Sequence, residues 1–212
     1  MKKRNYEETH ENILESGLKL FLKEGYEKAN LRQICKNGGV TTGAFYKHFE
    51  DKADLFTELV KPLADSIEQI YHNYEDQGFI AYSEDKIISK KTIEEVLALK
   101  KKGSIETVKY LFSMKELFEL LIFQSYGTQY ENYLDLLISA EDKNQRKILN
   151  MIHGEGKSLE TVTDKGIHLI DHAFYNALSY AVTHSKNEKE LVKNAEIIID
   201  FFNEGWKKFR ES

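Results

Sequence analysis

Two short segments with helix-capping residues meet at a pair of glycines in residues 30–52, NLRQICKNGGVTTGAFYKHFEDK. Asn30 can cap the first segment, and Thr41 or Thr42 can cap the second. A short helix, a glycine turn and a second short helix make the helix-turn-helix pattern, in which the second helix enters the major groove of DNA. The pattern predicts a nucleic-acid-binding element in this part of the chain.

Helical periodicity extends on both sides of this element. Apolar residues at helical spacing predict a first helix over residues 11–24, and a long fourth helix begins near Asp51. Pro62 lies inside that helix, so we expect a kink there, and the pattern lapses into a predicted loop over residues 76–90. Periodicity then returns and runs to Phe209, with expected breaks near Gly103, Ser113, Gly154, Gly156 and residues 185–187.

Composition excludes several classes of protein. The 212 residues are 41% apolar and include a single Pro, which disfavours disorder and a loop-rich all-β fold. Cys35 is the sole cysteine, which excludes a disulfide scaffold, and its spacing predicts inert packing in the core. We find neither a signal peptide nor an apolar run long enough to span a membrane, and we expect a cytoplasmic protein with no membrane partner.

Charge is distributed unevenly along the chain. Residues 1–52 carry 10 Lys and Arg against 8 Asp and Glu, whereas the whole chain has a formal charge of −5. The N-terminal segment is therefore the part whose charge would not repel a polyanion, although the excess is small.

The last two predicted helices have more apolar surface than one neighbour can cover. Ala173, Ala177 and Ala181 form a stripe of small residues on a helix over residues 161–184. On a helix over residues 188–209, a second apolar face joins the first; its members are Ile197, Ile199 and Phe201. These two helices predict a homodimer in which they form a four-helix bundle with the same two helices of a second copy. The alternative is that both faces are buried within one subunit.

The first fifty residues resemble the N-terminal DNA-binding domain of the TetR/AcrR family of bacterial transcriptional regulators. The resemblance is carried by Ile13, Leu20, Phe21, Gly25, Tyr26, Asn30, Leu31, Ile34, Cys35, the run Gly39–Lys52 and Leu55. Ser16-Gly17 departs from the alanines usual in the first helix, and Gly38 from the alanine usual before the turn glycine. Because glycine weakens a helix, these departures suggest a loosely held domain.

The resemblance implies an all-α fold in two parts. Residues 1–52 would be the helix-turn-helix domain, and residues 53–212 a helical domain for ligand binding and dimerisation. The implied function is a homodimeric repressor that leaves a palindromic operator in double-stranded DNA when a small-molecule effector binds. A TetR-like adaptor acting through protein contacts without operator binding is the alternative.

Candidate DNA contacts fall into three groups. Contacts to phosphates are expected from Thr41, Thr42, Gly43, Tyr46, Lys47, His48 and Lys52, which match the family's usual backbone contacts. Contacts to base edges are expected from Thr42, Ala44, Phe45 and Arg32. A basic arm could follow the phosphates or enter a minor groove, or be a solvated tail; it comprises Lys2, Lys3 and Arg4. For Phe45 a place in the core is an equal alternative.

The C-terminal part is expected to hold a largely apolar, aromatic-lined effector site. The candidate ligand-binding residues are Tyr110, Phe123, Tyr126, Tyr130, His172, Tyr175 and Trp206. Tyrosine and tryptophan keep a polar tip that seeks a partner, so their number here suits an apolar cavity with a few polar groups. Ordinary core packing is the alternative for each of them.

Asp164, His168 and His172 lie four residues apart and share one helix face. This spacing could hold a divalent metal, although pocket polarity, a subunit contact or simple exposure are the favoured readings. We assign no metal and no cofactor. Because the chain lacks a nucleophile-base set, a nucleotide loop and a paired-carboxylate motif, we expect no enzymatic activity.

Overall fold

The computed structural model describes residues 6–84 and 88–211, apart from the side chain of Glu75. Within these ranges the chain forms ten helices and no strand, which confirms the predicted all-α class. In chain order the helices are α1 (Tyr6–Glu24), α2 (Leu31–Asn37), α3 (Thr42–Phe45), α4 (Lys52–Glu84), α5 (Lys90–Ser113), α6 (Lys115–Phe123), α7 (Tyr133–His153), α8 (Glu155–Thr161), α9 (Asp164–His184) and α10 (Glu188–Glu211). None of these helices has the length and apolar content needed to cross a membrane.

The chain divides into two compact units. The first comprises residues 1–66 and 114–133, and the second comprises residues 67–113 and 134–212. Helices α1 to α3, the beginning of α4 and all of α6 therefore belong to the first unit. The rest of α4 and the remaining helices form the second unit.

Aromatic rings fill the centre of the first unit. Phe21 of α1 and Phe56 of α4 are fully buried and meet edge to face, with ring centroids 5.5 Å apart. Tyr26, just after α1, packs against Phe56 in the same way at 5.3 Å. The backbone N–H of Tyr26 also donates to the carbonyl of Gln124 at 3.0 Å, which fixes the end of α6 to the turn after α1.

Helix α4 is longer than the sequence predicts. The expected loop over residues 76–90 is wrong for its first part, because α4 continues through Pro62 and ends at Glu84. Tyr82 explains the extension: its side chain is buried, and its hydroxyl accepts a hydrogen bond from Nη1 of Arg210 at 3.2 Å. Likewise α5 runs through Gly103 without the predicted break.

The second unit is built around α10. This helix packs against α5 and α9, and the shared core comprises Tyr82, Ile93, Val96, Leu97, Ile148, Leu149, Val162, Ile167 and Trp206. Helix α9 begins where Thr163 Oγ1 accepts from the N–H of Gly166 at 3.1 Å. The predicted helices over residues 161–184 and 188–209 are confirmed within a few residues as α9 and α10.

Candidate functional site

Side-chain caps set the start of both helices in the predicted helix-turn-helix. Asn30 Oδ1 accepts from the N–H of Arg32 at 2.9 Å and begins α2. Thr41 Oγ1 accepts from the N–H of Ala44 at 3.1 Å and begins α3. Between them Gly39 has a φ of 64°, a left-handed conformation that a side chain would strain. The two caps and this glycine produce the tight turn that the sequence predicts.

Helix α3 is a single turn, shorter than the predicted segment from Gly43 to Phe49. After Phe45 the chain tightens, because the N–H of Lys47 donates to the carbonyl of Ala44 and the N–H of His48 to that of Phe45, each three residues back. The N–H of Phe49 donates to Phe45 at 3.1 Å and ends the turn. The recognition segment is therefore one helical turn followed by a compact hydrogen-bonded turn.

Two aromatic side chains anchor this segment to the first unit. Phe45 is 0% exposed and Phe49 is buried, and their rings lie 5.5 Å apart. The expected contact of Phe45 with a base edge therefore gives way to the core alternative, since a side chain without exposed surface cannot reach DNA.

The opposite side of the segment faces solvent. Thr41, Thr42, Gly43 and Lys47 are exposed, Ala44 is half-buried, and the side chain of Tyr46 is 59% exposed. A Cβ added at Gly43 would meet only Thr41 Oγ1, at 4.0 Å. Hydroxyl, phenol and ammonium groups thus share an open surface around α3, the chemistry that contacts phosphate oxygens.

His48 is held from the side of α1. Its ring lies 4.0 Å from the ring of Tyr6 and 5.5 Å from that of His10, measured between centroids. His10 in turn pairs with Glu58 on α4 through Nε2 and Oε1 at 2.6 Å. Burial lowers the pKa of His48, and the nearby His10 and Lys47 lower it further. Sequence reasoning missed these bracing residues because no local motif links α1 to the end of the turn.

Lys52 points into the protein. Its Nζ donates to three backbone carbonyls, of Tyr26 at 2.6 Å, Ala29 at 3.1 Å and Glu27 at 3.2 Å. It also lies 4.2 Å from the centroid of the Tyr26 ring. An ammonium group has three N–H donors, so these bonds use all of them. The expected phosphate contact of Lys52 is corrected accordingly: its ammonium secures the loop between α1 and α2.

The other basic residues predicted to contact DNA lie outside α3 and the turn that follows it. Arg32 is exposed and lines a groove of about 750 Å³ formed by α1 and α2, with three lysines along it: Lys19, Lys23 and Lys36. The basic arm of Lys2, Lys3 and Arg4 lies outside the described residues.

The unusual Ser16-Gly17 pair has a structural role. The buried Ser16 hydroxyl donates to the carbonyl of Ile34 at 2.8 Å and ties α1 to α2. A Cβ on Gly17 would lie 2.8 Å from Cδ2 of Leu55, so glycine allows α4 to approach α1 closely. Both features offset the weakness that glycine introduces into α1.

The candidate ligand-binding residues are divided between the two units. Phe123, Tyr126 and Tyr130 belong to the first unit, where Phe123 and Tyr126 are exposed and the Tyr130 ring packs near Phe56. The second unit contains Tyr110, His172, Tyr175 and Trp206; Trp206 is buried, Tyr110 and Tyr175 are half-buried, and His172 is exposed. No single unit brings the whole set together.

Asp164, His168 and His172, which share one face of α9, each pair with a different residue. Asp164 Oδ1 accepts from Nε of Arg146 at 2.6 Å. His168 Nδ1 lies 2.8 Å from Asp142 Oδ2, and His172 Nε2 lies 3.9 Å from Asp135 Oδ1. In the part of the chain that the structure describes, no three His, Cys, Asp or Glu side chains are grouped to hold a metal.

Helices α9 and α10 expose apolar side chains at helical spacing. On α10 these are Ile197 and Phe201, of which Phe201 is 74% exposed, while Ile199 is buried and belongs to the inner face. On α9 the exposed apolar residues are Leu169 and Tyr180, with the exposed Ala173 between them. We call Leu169, Ala173, Tyr180, Ile197 and Phe201 the α9/α10 face. The second apolar face expected on α10 is therefore present without Ile199.

Comparison with known proteins finds sequence matches over the N-terminal part of the chain. Residues 13–59 match the family model of bacterial regulatory proteins, tetR family. The HTH-type transcriptional regulator AcrR of Shigella flexneri is 46% identical over 57 residues, which cover 27% of this chain and 26% of AcrR. The HTH-type transcriptional repressor BepR of Brucella suis biovar 1 (strain 1330) is 43% identical over 53 residues, 25% of each chain. The match spans about a quarter of these relatives.

A solved structure resembles more of the chain. NalD, the secondary repressor of the MexAB-OprM multidrug efflux pump in Pseudomonas aeruginosa, aligns over 94% of this chain and 95% of its own with a TM-score of 0.49 and 18% identity.

Proposed function

We propose that this chain is a homodimeric repressor of transcription, on the premise that its residues 13–59 match the family model of bacterial regulatory proteins, tetR family. Its operator would be a palindrome in double-stranded DNA, and a small, largely apolar effector would release it. The family's members are DNA-binding transcriptional regulators rather than enzymes.

The observation that carries the proposal is the two-sided construction of the recognition segment, which is α3 and the compact turn after it. Phe45 and Phe49 fix one side in the core, while Thr42, Tyr46 and Lys47 remain exposed on the other. A helical turn that is anchored from behind and polar in front is suited to the major groove, where hydroxyl and ammonium groups meet phosphates and base edges. Ala44 and Thr42 are the residues we propose for contacts with bases.

The α9/α10 face supports the homodimer. Large apolar side chains such as Phe201 gain about 1.5–3 kcal/mol each when they leave water, and two-fold symmetry doubles every contact. A dimer would present two α3 segments, and consecutive major grooves on one side of DNA are separated by about 34–36 Å. A palindromic operator follows from that symmetry.

Effector binding is proposed for the helices that follow the DNA-binding segment. Tyr110, Tyr175 and Trp206 place aromatic surface and polar tips in the second unit, which supports an aromatic or otherwise apolar ligand. The ligand would act by favouring a dimer in which the two α3 segments no longer fit successive grooves.

An electrophoretic mobility shift with the DNA upstream of the protein's own gene tests the proposal. We expect a salt-sensitive complex that Tyr46→Ala and Lys47→Ala weaken. Lys61→Ala is the matched control, because Lys61 is equally a surface lysine of the first unit but lies on α4, beyond the helix-turn-helix. A chain that folds and dimerises without shifting any duplex would support the adaptor alternative.

A further inference from the structure

Two neighbouring carboxyl groups in the second unit each have one buried oxygen without a hydrogen-bond partner among the described residues. Asp171 of α9 is 1% exposed, and its Oδ2 has no hydrogen-bond partner among the described residues. The buried Oδ1 of Asp142 on α7 is likewise unpartnered within that part of the chain. The two carboxyl groups lie within hydrogen-bonding reach of each other. Buried polar atoms without partners are uncommon in native proteins and call for a proton, a water molecule or a ligand.

The neighbouring Glu141, by contrast, is fully paired. Its Oε1 accepts from Lys100 Nζ at 3.0 Å and from Gln145 Nε2 at 2.7 Å, and its Oε2 accepts from the Tyr71 hydroxyl at 3.1 Å. Burial works against ionisation of Glu141, but Lys100 and Tyr71 outweigh it and lower its pKa. Lys100 is thus already paired with Glu141, whereas the acidic pair of Asp142 and Asp171 has His168 as a neighbour, with Nδ1 2.8 Å from Asp142 Oδ2.

An aromatic side chain lies next to the pair. Tyr175 follows Asp171 by one helical turn on α9, so the two side chains leave the same side of the helix. Burial raises the pKa of Tyr175 well above its ordinary value, and the charges of Glu141, Asp171 and Asp142 add to the effect. Tyr175 therefore stays a neutral ring close to the carboxyl groups.

The buried oxygens of the pair belong to a group of side chains that includes partly exposed members. The side chain of Asp142 is 21% exposed and that of His168 is 47% exposed, while Asp171 is buried. A small polar head could enter beside Asp142 and leave the rest of a ligand closer to solvent and to Tyr175.

We propose that Asp142 and Asp171 bind the ammonium or amidinium group of a small organic cation, with Tyr175 against its apolar part. Two N–H bonds of such a group match the two facing carboxyl oxygens, and charge-assisted hydrogen bonds of this kind are stronger than neutral ones. The ring of Tyr175 adds attraction for a cation or its aromatic substituent. A metal ion fits less well, since the described residues hold no group of three metal-ligating side chains.

The protonation state of Asp171 gives the site a distinct signature. Burial raises the pKa of Asp171 to about 9, the charges of Glu141 and Asp142 push it in the same direction, and Lys100 opposes them. At neutral pH the free protein therefore holds a proton between the two carboxyl groups. An incoming cation replaces that proton, so binding and proton release are linked.

Isothermal titration calorimetry on the full chain tests this site with two probes of the same shape, the 2-phenylethylammonium cation and the uncharged 2-phenylethanol. We expect the cation to bind at least about tenfold more tightly than the alcohol, as a charged hydrogen bond implies. Titrations in buffers with different ionisation enthalpies should show about one proton released per cation.

Variants localise the effect. Asp171→Asn and Asp142→Asn keep the side-chain shape and remove the charge, so both should abolish the preference for the cation, and Asp171→Asn should also abolish the proton release. Asp135→Asn is the matched control, because Asp135 is an exposed acidic residue on the same helix outside the pair. Removing a carboxyl group that is neutral in the folded protein should leave Asp171→Asn folded, which circular dichroism verifies.

Equal affinity for the two probes, absence of cation binding, or a cation preference that survives in Asp171→Asn would overturn the assignment and leave a shared proton as the sole role of the pair. That the cation acts as the effector rests on the proposed function. If 2-phenylethylammonium binds with the expected preference but operator binding is absent in the wild type, the proposed function fails and the site stands.

Discussion

Nζ of Lys52 lies 2.6 Å from the carbonyl oxygen of Tyr26, and the same ammonium group covers the Tyr26 ring at 4.2 Å from its centroid. The first residue of α4 thereby holds the loop that separates α1 from α2. Tyr26 is also the residue whose N–H binds the end of α6 through Gln124. One tyrosine therefore joins α4, α6 and the α1–α2 loop within the first unit.

Replacing Lys52 should affect stability more than DNA contact. Lys52→Met leaves three carbonyl oxygens without their donor, and we expect a loss of about 1–3 kcal/mol in the free energy of unfolding, given that the site is partly exposed. The slope of log affinity for DNA against log salt should change little, whereas Lys47→Ala should reduce it by about 1. Chemical denaturation and salt-dependent binding measure the two effects. A reduced slope in Lys52→Met would show that Lys52 reaches a phosphate.

Placing alanine at Gly17 should not stabilise α1, although alanine favours helices by about 0.5–1 kcal/mol over glycine. The new Cβ would lie 2.8 Å from Leu55 Cδ2, and overpacking of a core typically costs about 1–3 kcal/mol. We expect a net decrease in the free energy of unfolding. Leu55→Val removes the atom that clashes, so the cost of Gly17→Ala should be smaller in that background. A stabilised single variant would contradict the close packing of α1 on α4.

The α9/α10 face should control dimerisation. Phe201→Asp puts a charge where two copies would meet, and we expect monomers by size-exclusion chromatography with light scattering. Leu136→Asp is the matched control because Leu136 is similarly exposed, at 65%, but lies on α7. Monomers in the control, or dimers in Phe201→Asp, would place the interface elsewhere.

His48 should make the first unit less stable in mild acid. Burial is the largest of the causes that lower its pKa from the ordinary value of 6.5, and His10 and Lys47 contribute. The His48 imidazole therefore binds a proton more readily in the unfolded chain than in the folded one. Its contribution to the free energy of unfolding is complete above pH 6.5, and it is lost as the pH falls through the lower pKa that His48 has in the folded protein. Urea unfolding at a series of pH values should show a flatter acid limb for His48→Gln. His184→Gln is the control because His184 is exposed, and its acid limb should match that of the wild type. Identical acid limbs for His48→Gln and wild type would contradict the prediction.

Local signals explain what the sequence could predict. Caps such as Asn30 and Thr41 act on amides two or three residues away, so the starts of α2 and α3 follow from short segments. The apolar residues at helical spacing along α9 and α10 likewise predict these two helices from their own segments alone.

Long-range partners explain what the sequence could not predict. Tyr82 extends α4 because Arg210, 128 residues later, supplies a buried hydrogen bond. Lys52 looked like a phosphate ligand because its long side chain can point either way, and only the folded loop shows which carbonyls it finds. Asp171 sits at a position that reads as polar surface, and its burial against Asp142 depends on how α7 and α9 pack.

Selection of binding sites from random duplex DNA tests the central claim most directly. The wild-type chain should enrich an inverted repeat whose half-sites are one helical turn apart, about 34–36 Å. Phe201→Asp should lose the repeat, and Tyr46→Ala should weaken binding to the selected sequence. Enrichment of no sequence by a folded, dimeric protein, or of a site that Tyr46→Ala binds equally well, would contradict the account of α3 as the segment that enters DNA.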